Sequence, residues 1–139
     1  MIIYLDENMP KHLANGFNLI QSPENFKKSR AKIEVKFLPD VYGYSTEDLD
    51  WIPKVGKDKG FVITQDIHIT KRKDEIAAYN KNGIGLFLLR GKSKKQGLSV
   101  WDMVQILAKN WEDMVQIILS KEGPFAYTVQ LNRKIDIYK

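Results

Sequence analysis

Three short runs of strand-forming residues constrain this chain more than anything else in it. Ile2-Ile3-Tyr4-Leu5, Phe61-Val62-Ile63-Thr64 and Ile84-Gly85-Leu86-Phe87-Leu88-Leu89 are almost wholly apolar, and polar or turn-forming residues end each of them. Runs of that length without alternation read as strands buried on both faces. The stretches between them are long enough to hold helices, and parallel neighbours need such crossovers. The pattern predicts an α/β fold of three α/β/α layers around a mainly parallel central sheet. In sheets of this kind, sites form beyond the carboxyl ends of the strands. Asp6 and Asp66 each stand just past a predicted buried strand, so both are expected on one rim.

The remaining segments fill in the layers. Leu13, Phe17 and Ile20 give an apolar face to a helix running through about Leu19, with Pro10 tolerated in its first turn. Residues 21–32 are polar and read as a short helix or an exposed loop. Ile33, Val35 and Phe37 alternate with Glu34 and Lys36, the pattern of a strand near the sheet edge with one wet face. Pro39 to Tyr44 read as a loop, and Ser45-Thr46-Glu47-Asp48 as a helix start with hydroxyl caps and early acids. Pro53 falls in the first turn of that helix if Asp50 caps it, and kinks it otherwise. A helix is expected over Asp74 to Asn80, stopped by Asn82-Gly83. Ser99 and Asp102 have capping-box spacing before Val100, Met103, Val104 and Leu107. Asn110 is expected to cap a further helix carrying Met114, Val115, Ile118 and Leu119, which Gly123-Pro124 ends. Tyr127 to Leu131 reads as an edge strand.

A chain of 139 residues suits one domain over 1–139. It has no cysteine, which excludes disulfides and thiolate zinc sites. Met1 to Leu5 is too short for the apolar part of a secretory signal before Asp6 and Glu7. No run approaches the roughly 20 apolar residues that cross a bilayer. A cytoplasmic protein with no membrane partner is the simplest expectation. Charge is uneven: residues 1–50 carry 6 basic and 8 acidic side chains, residues 51–139 carry 16 and 9, and the chain is +5 in total. An acidic locus within a basic chain suits an enzyme that holds metal and draws in a polyanion, although solubility also explains the excess of cations.

Acids gathered at one rim repel one another, and desolvating each is costly unless a cation intervenes. Hard divalent ions such as Mg2+ or Mn2+ prefer oxygen ligands. Asp6, Asp50 and Asp66 are the expected metal ligands and catalytic acids, with Asp48 beside them and Glu7 and Glu47 in support. The chemistry that such a site favours is phosphodiester hydrolysis by a metal-activated water. Thr64 is positioned to orient Asp66 or a water. His68, two residues past Asp66, is a ligand, a proton donor or a plain turn residue. Lys71, Arg72 and Lys73, with Lys92, Lys94 and Lys95 in a flexible loop, are candidates for holding a substrate backbone; loop lysines also serve solubility. Each acid has a structural explanation too. Asp6, Glu7 and Asn8 can cap the first helix, Ser45 to Asp50 can be an ordinary helix start, and Asp66 can be a turn residue. Trp51, Trp101 and Trp111 are expected in the core rather than stacked on bases. No Ser–His–Asp triad and no Gly-x-x-x-x-Gly-Lys loop is apparent.

Leu5-Asp6-Glu7-Asn8-Met9-Pro10 resembles the LDENLP opening of small PIN-like proteins. Asp48-Leu49-Asp50-Trp51-Ile52-Pro53 and Val62-Ile63-Thr64-Gln65-Asp66 resemble the D-x-E-W-I-P and V-I-T-x-D segments of their VapC-like branch. Gly83-Ile84-Gly85 and Pro124-Phe125-Ala126 agree as well, so the resemblance covers nearly the whole chain. It implies a PIN-like fold, Mg2+- or Mn2+-dependent ribonuclease activity on RNA and, for many relatives, the toxin's part in a toxin–antitoxin pair. A cognate antitoxin protein is then an expected partner, and a homodimer a further option. On matching positions the resemblance assigns metal to Asp6, Asp50 and Asp66, with Asp48 nearby. Two positions depart from it: Asp50 stands where the branch commonly has Glu, and His68 where many PIN proteins carry Asp.

Two other readings compete. A response-regulator receiver also has an acidic pair after its first strand and a phosphorylatable aspartate after a later one, but it requires a Lys at the end of its last parallel strand. A catalytically decayed PIN-like protein would bind RNA or a protein partner without cutting.

Overall fold

The three apolar runs become neighbouring parallel strands at the middle of one sheet. In the computed structural model they are β1 (Ile2–Leu5), β3 (Phe61–Gln65) and β4 (Gly85–Leu89). β2 (Glu34–Phe37) flanks β1, β5 (Phe125–Val129) extends the sheet past β4, and both are parallel to their neighbours. A two-residue antiparallel strand, β6 (Asp136–Ile137), completes the order β2-β1-β3-β4-β5-β6. The structure describes residues 1–27, 31–44, 48–65, 73–91 and 97–138, with the backbone alone at Asp48 and Leu49.

Helices cover both faces, as buried parallel strands require. α1 (Lys11–Gln21) and α5 (Val100–Ser120) lie on one side. α3 (Asp48–Lys57) and α4 (Lys73–Lys81) lie on the other, with the short α2 (Leu38–Tyr42) following β2. Alternation along each strand divides the core. Ile3, Leu5, Phe61, Ile63, Phe87 and Leu89 meet α1 and α5, whereas Tyr4, Val62, Leu86 and Leu88 meet α3 and α4. The predicted three-layer α/β/α fold with a mainly parallel sheet is therefore the observed one.

One connection is unusual. β3 to β4 and β4 to β5 step the same way across the sheet, yet α4 and α5 sit on opposite faces. The two crossovers thus have opposite hands, where nearly all such units are right-handed. The benefit lies in coverage. α1 has 11 residues and α5 has 21, so α5 buries the part of the face that α1 leaves open.

Several expectations need correction. Ile20 is exposed, and α1 buries Leu13, Ala14, Phe17 and Gln21 instead; Gln21 accepts a hydrogen bond from Trp111 Nε1 at 2.8 Å. The segment from Leu38 to Tyr42 is a helical turn rather than a loop, and Pro39 is tolerated there at its start. Of the two readings of Pro53, the one that sets it within the helix holds: α3 starts at Asp48, so Asp50 is not its cap and Pro53 lies beyond the first turn. α5 is one helix, not two, because Asn110 does not cap. Its amide donates to the Ile106 carbonyl at 2.8 Å, which leaves the helix intact, and to the Gln130 carbonyl at 3.1 Å, which docks α5 on the end of β5. β5 runs over Phe125–Val129 as an interior strand, and the edge role passes to β6. Other local signals act as expected. The Ser99–Asp102 capping box is formed, and Gly83, at φ +71°, takes the left-handed conformation after α4. β2 is an edge strand with alternating burial, and Asn18 and Asn25 on α1 and the turn after it satisfy backbone groups of Ile33 and Val35.

Candidate functional site

The sheet reverses its winding at β1: the chain passes from β1 to β2 on one side, then returns to β3 on the other. Crevices at such switch points, beyond the carboxyl ends of the strands, are where open α/β sheets bind ligands. Asp6 stands there. Leu5 is in register with Phe37 and Ile63, and the Asp6 N–H donates to the Ile63 carbonyl at 3.2 Å, continuing the ladder past the strand. Alternation gives Asp6 the same face as Tyr4, towards α3 and α4.

Asp6 is only 3% exposed. Its Oδ1 accepts the Asn8 N–H at 3.0 Å, and its carbonyl accepts the Met9 N–H at 3.0 Å. Met9 is buried and fixes the far side of this turn. Asp6 is not the N-cap of α1, which starts at Lys11 with Pro10 in the cap position. Burying a carboxylate is costly without hydrogen bonds or a cation beside it, and the Asn8 N–H supplies one such bond.

Asp6, Glu7 and Asn8 form one wall of a cleft of about 50 Å³, space for a handful of waters. α2 contributes Leu38, Pro39 and the following Gly43, α3 contributes Trp51, and α4 contributes Glu75. Tyr42 anchors the α2 side. Its hydroxyl donates to Asp58 Oδ2 at 3.3 Å and lies 3.4 Å from the Tyr4 hydroxyl, and burial followed by the Tyr4 contact pushes its pKa well above the usual tyrosine range.

Glu75 is the residue that sequence reasoning missed. Asp74-Glu75 reads as an ordinary acidic helix start. The signal was Tyr79, four residues on and 2% exposed, whose hydroxyl donates to Glu75 Oε1 at 3.0 Å. The Tyr79 ring also packs on Trp51 at 5.7 Å between centroids, which ties α4 to the wall formed by α3. Gln65 was missed as well. It is buried at the end of β3, its amide donates to the Asn8 carbonyl, and its Oε1 accepts the Leu98 N–H at 3.3 Å.

The predicted site residues fall into three groups. Asp6 and Glu7 share the cleft. Asp50 is exposed on α3, where its neighbour Trp51 forms the wall; Thr64 is fully buried on the Tyr4 face of β3, and Lys73 is exposed at the start of α4. Glu47, Asp66, His68, Lys71, Arg72, Lys92, Lys94 and Lys95 lie outside the described residues, as does the side chain of Asp48. Among the described residues, no three Asp, Glu or His side chains are grouped closely enough to hold an ion. The cleft's donors are all oxygens, which suits a hard divalent ion over zinc or copper.

Fold and rim together define a mainly parallel α/β protein with a buried acid at the switch point of its sheet. A family model for PIN-like domains matches residues 1–91, and the chain belongs to that family. The match spans β1 to β4 and every residue that lines the cleft, and membership carries a nuclease-type function in general. No curated protein and no solved structure matches the chain. The receiver reading is not supported: β5, the last parallel strand, ends at Val129 and is followed by Gln130-Leu131, with no lysine there. Among the described residues, no helix is long and apolar enough to cross a membrane.

Proposed function

We propose that this chain is a Mg2+- or Mn2+-dependent ribonuclease that hydrolyses RNA phosphodiester bonds. The observation that carries the reading is Asp6, a buried carboxylate at the sheet's switch point in a cleft shared with Glu7 and Glu75. Asp6 would be a direct ligand, joined by Asp66 from the end of β3 and by an acid at the start of α3, Asp50 or Asp48. A bound divalent ion supplies charge neutralisation and an activated water. The protein's own part is positional. The Asn8 and Met9 N–H groups hold the Asp6 turn, Tyr79 orients Glu75, and the apolar wall of Leu38, Pro39 and Trp51 limits water around the reacting phosphate. The basic excess of residues 51–139 favours a polyanionic substrate. The toxin role, a cognate antitoxin and a cytoplasmic location follow from the resemblance to the VapC-like branch and belong to the same proposal.

The test is incubation of the purified protein with mixed-sequence single-stranded RNA in Mg2+, Mn2+ or EDTA, beside Asp6→Asn and Asp66→Asn. Metal-dependent cleavage that both substitutions abolish is the expected result. Cleavage that persists in either variant, or that EDTA leaves unchanged, contradicts the assignment.

A further inference from the structure

Two of the three tryptophans are core residues and the third is not. Trp51 and Trp111 are 4% and 8% exposed, whereas Trp101 is 75% exposed. Leaving an indole in water forgoes the burial of one of the largest apolar side chains. Trp101 is also held on rigid backbone. It is the second residue of α5, inside the capping box in which Ser99 Oγ accepts the Asp102 N–H at 3.1 Å and Asp102 Oδ2 accepts the Ser99 N–H at 3.2 Å. The neighbouring carboxylate is therefore already engaged.

Gln65 ties the Asp6 turn to the segment that leads into α5. This buried amide joins the carbonyl of Asn8, in the Asp6 turn, to the N–H of Leu98, three residues before Trp101. Gly91, just past β4, abuts the same place, since a Cβ there would meet the Leu98 side chain at 2.6 Å. Tyr44 is 64% exposed. It follows Gly43, which lines the cleft, and its ring meets Phe37 at the end of β2 edge-on, 6.0 Å between centroids. Tyr44 thus packs at the end of β2, Asp6 follows β1, and the segment that leads into α5 and Trp101 is bonded through Leu98 to Gln65 at the end of β3.

We propose that Trp101 and Tyr44 are base-stacking platforms on the rim that carries the acidic cleft, holding single-stranded RNA along it. The proposal rests on the nuclease reading above. Every base has a π-face, so two fixed rings grip a strand with little regard to sequence. Duplex bases are already stacked on one another and leave the rings without partners. The net charge of +5 complements the phosphates that such a strand carries.

Fluorescence anisotropy of a labelled single-stranded RNA, in EDTA so that no cleavage intervenes, tests this with the full chain. Trp101→Ala weakens binding by about fivefold to a hundredfold and Tyr44→Ala by about fivefold, while Trp101→Phe stays near wild type. The dependence of affinity on salt is unchanged in all three, because no cation is removed. RNA quenches the indole emission of the wild type; Trp101→Phe, which keeps Trp51 in the cleft wall and Trp111 in the core, shows a smaller quench while retaining affinity. Wild-type affinity in either alanine variant overturns the role of that ring. A quench undiminished in Trp101→Phe, or a Trp101→Ala phenotype confined to self-association, overturns the platform at Trp101. Cleavage assays separate the two proposals. Normal RNA binding by Trp101→Ala, with cleavage lost in Asp6→Asn, sinks the platform and keeps the nuclease. Weakened binding by Trp101→Ala in a protein that cuts nothing keeps the platform and sinks the nuclease.

Discussion

On the α1–α5 face, side chains from β1, β3 and β4 meet a continuous apolar layer that includes Phe17, Phe87, Leu107 and Trp111. On the α3–α4 face the same strands meet a smaller cluster, which gives way at the rim to the cleft holding Asp6, Glu7 and Glu75. β1 shows the division in consecutive residues, with Leu5 in the larger core and Asp6 in the cleft. Because neighbouring residues on a strand face opposite layers, stability and chemistry are separable by single substitutions.

The sharpest separation comes from Asp6→Asn, which keeps the side chain's size and removes its charge. The proposed ligand role predicts that metal-dependent RNA cleavage falls by at least about a hundredfold, while the melting temperature changes little. A comparable loss of melting temperature would make Asp6 a structural residue and erase the contrast. Leu107→Ala, fully buried on the opposite face, does the reverse. It destabilises the fold by about 2–5 kcal/mol in denaturant titrations and leaves cleavage per folded molecule unchanged. Glu75→Gln keeps an acceptor for Tyr79 but not the charge, so cleavage drops by about tenfold with stability intact; wild-type rates would exclude Glu75 from the site. The smallest effect is at Lys11, whose ion pair with Asp40 spans 3.2 Å between side chains 47% and 40% exposed. Lys11→Met shifts stability by under about 0.5 kcal/mol, and a larger change would mean that the rim depends on surface charge.

The middle of the sheet was legible because Ile2–Leu5, Phe61–Gln65 and Gly85–Leu89 are short, mostly apolar runs. They are rich in β-branched or aromatic residues or bounded by turn formers, as strands buried on both sides are. Asp6 followed from its place after β1. What stayed hidden depends on contacts across the fold. Asn110 looks like a cap until the Gln130 carbonyl is placed beside it. Glu75 looks like a helix-start acid until α4 docks and Tyr79 turns it towards the cleft. Trp101 shares helical spacing with apolar neighbours, yet α5 buries Met103, Ile106 and Leu107 and leaves the indole out. The placement of α5 on the face opposite α4 runs against the usual handedness, so no local pattern could announce it.

Mn2+ titration followed by electron paramagnetic resonance, on the wild-type protein and Asp6→Asn, measures the central claim without any substrate. A ligand role for Asp6 predicts saturable binding by the wild type that weakens at least about tenfold in the variant. Equal Mn2+ affinity in the two proteins would contradict it.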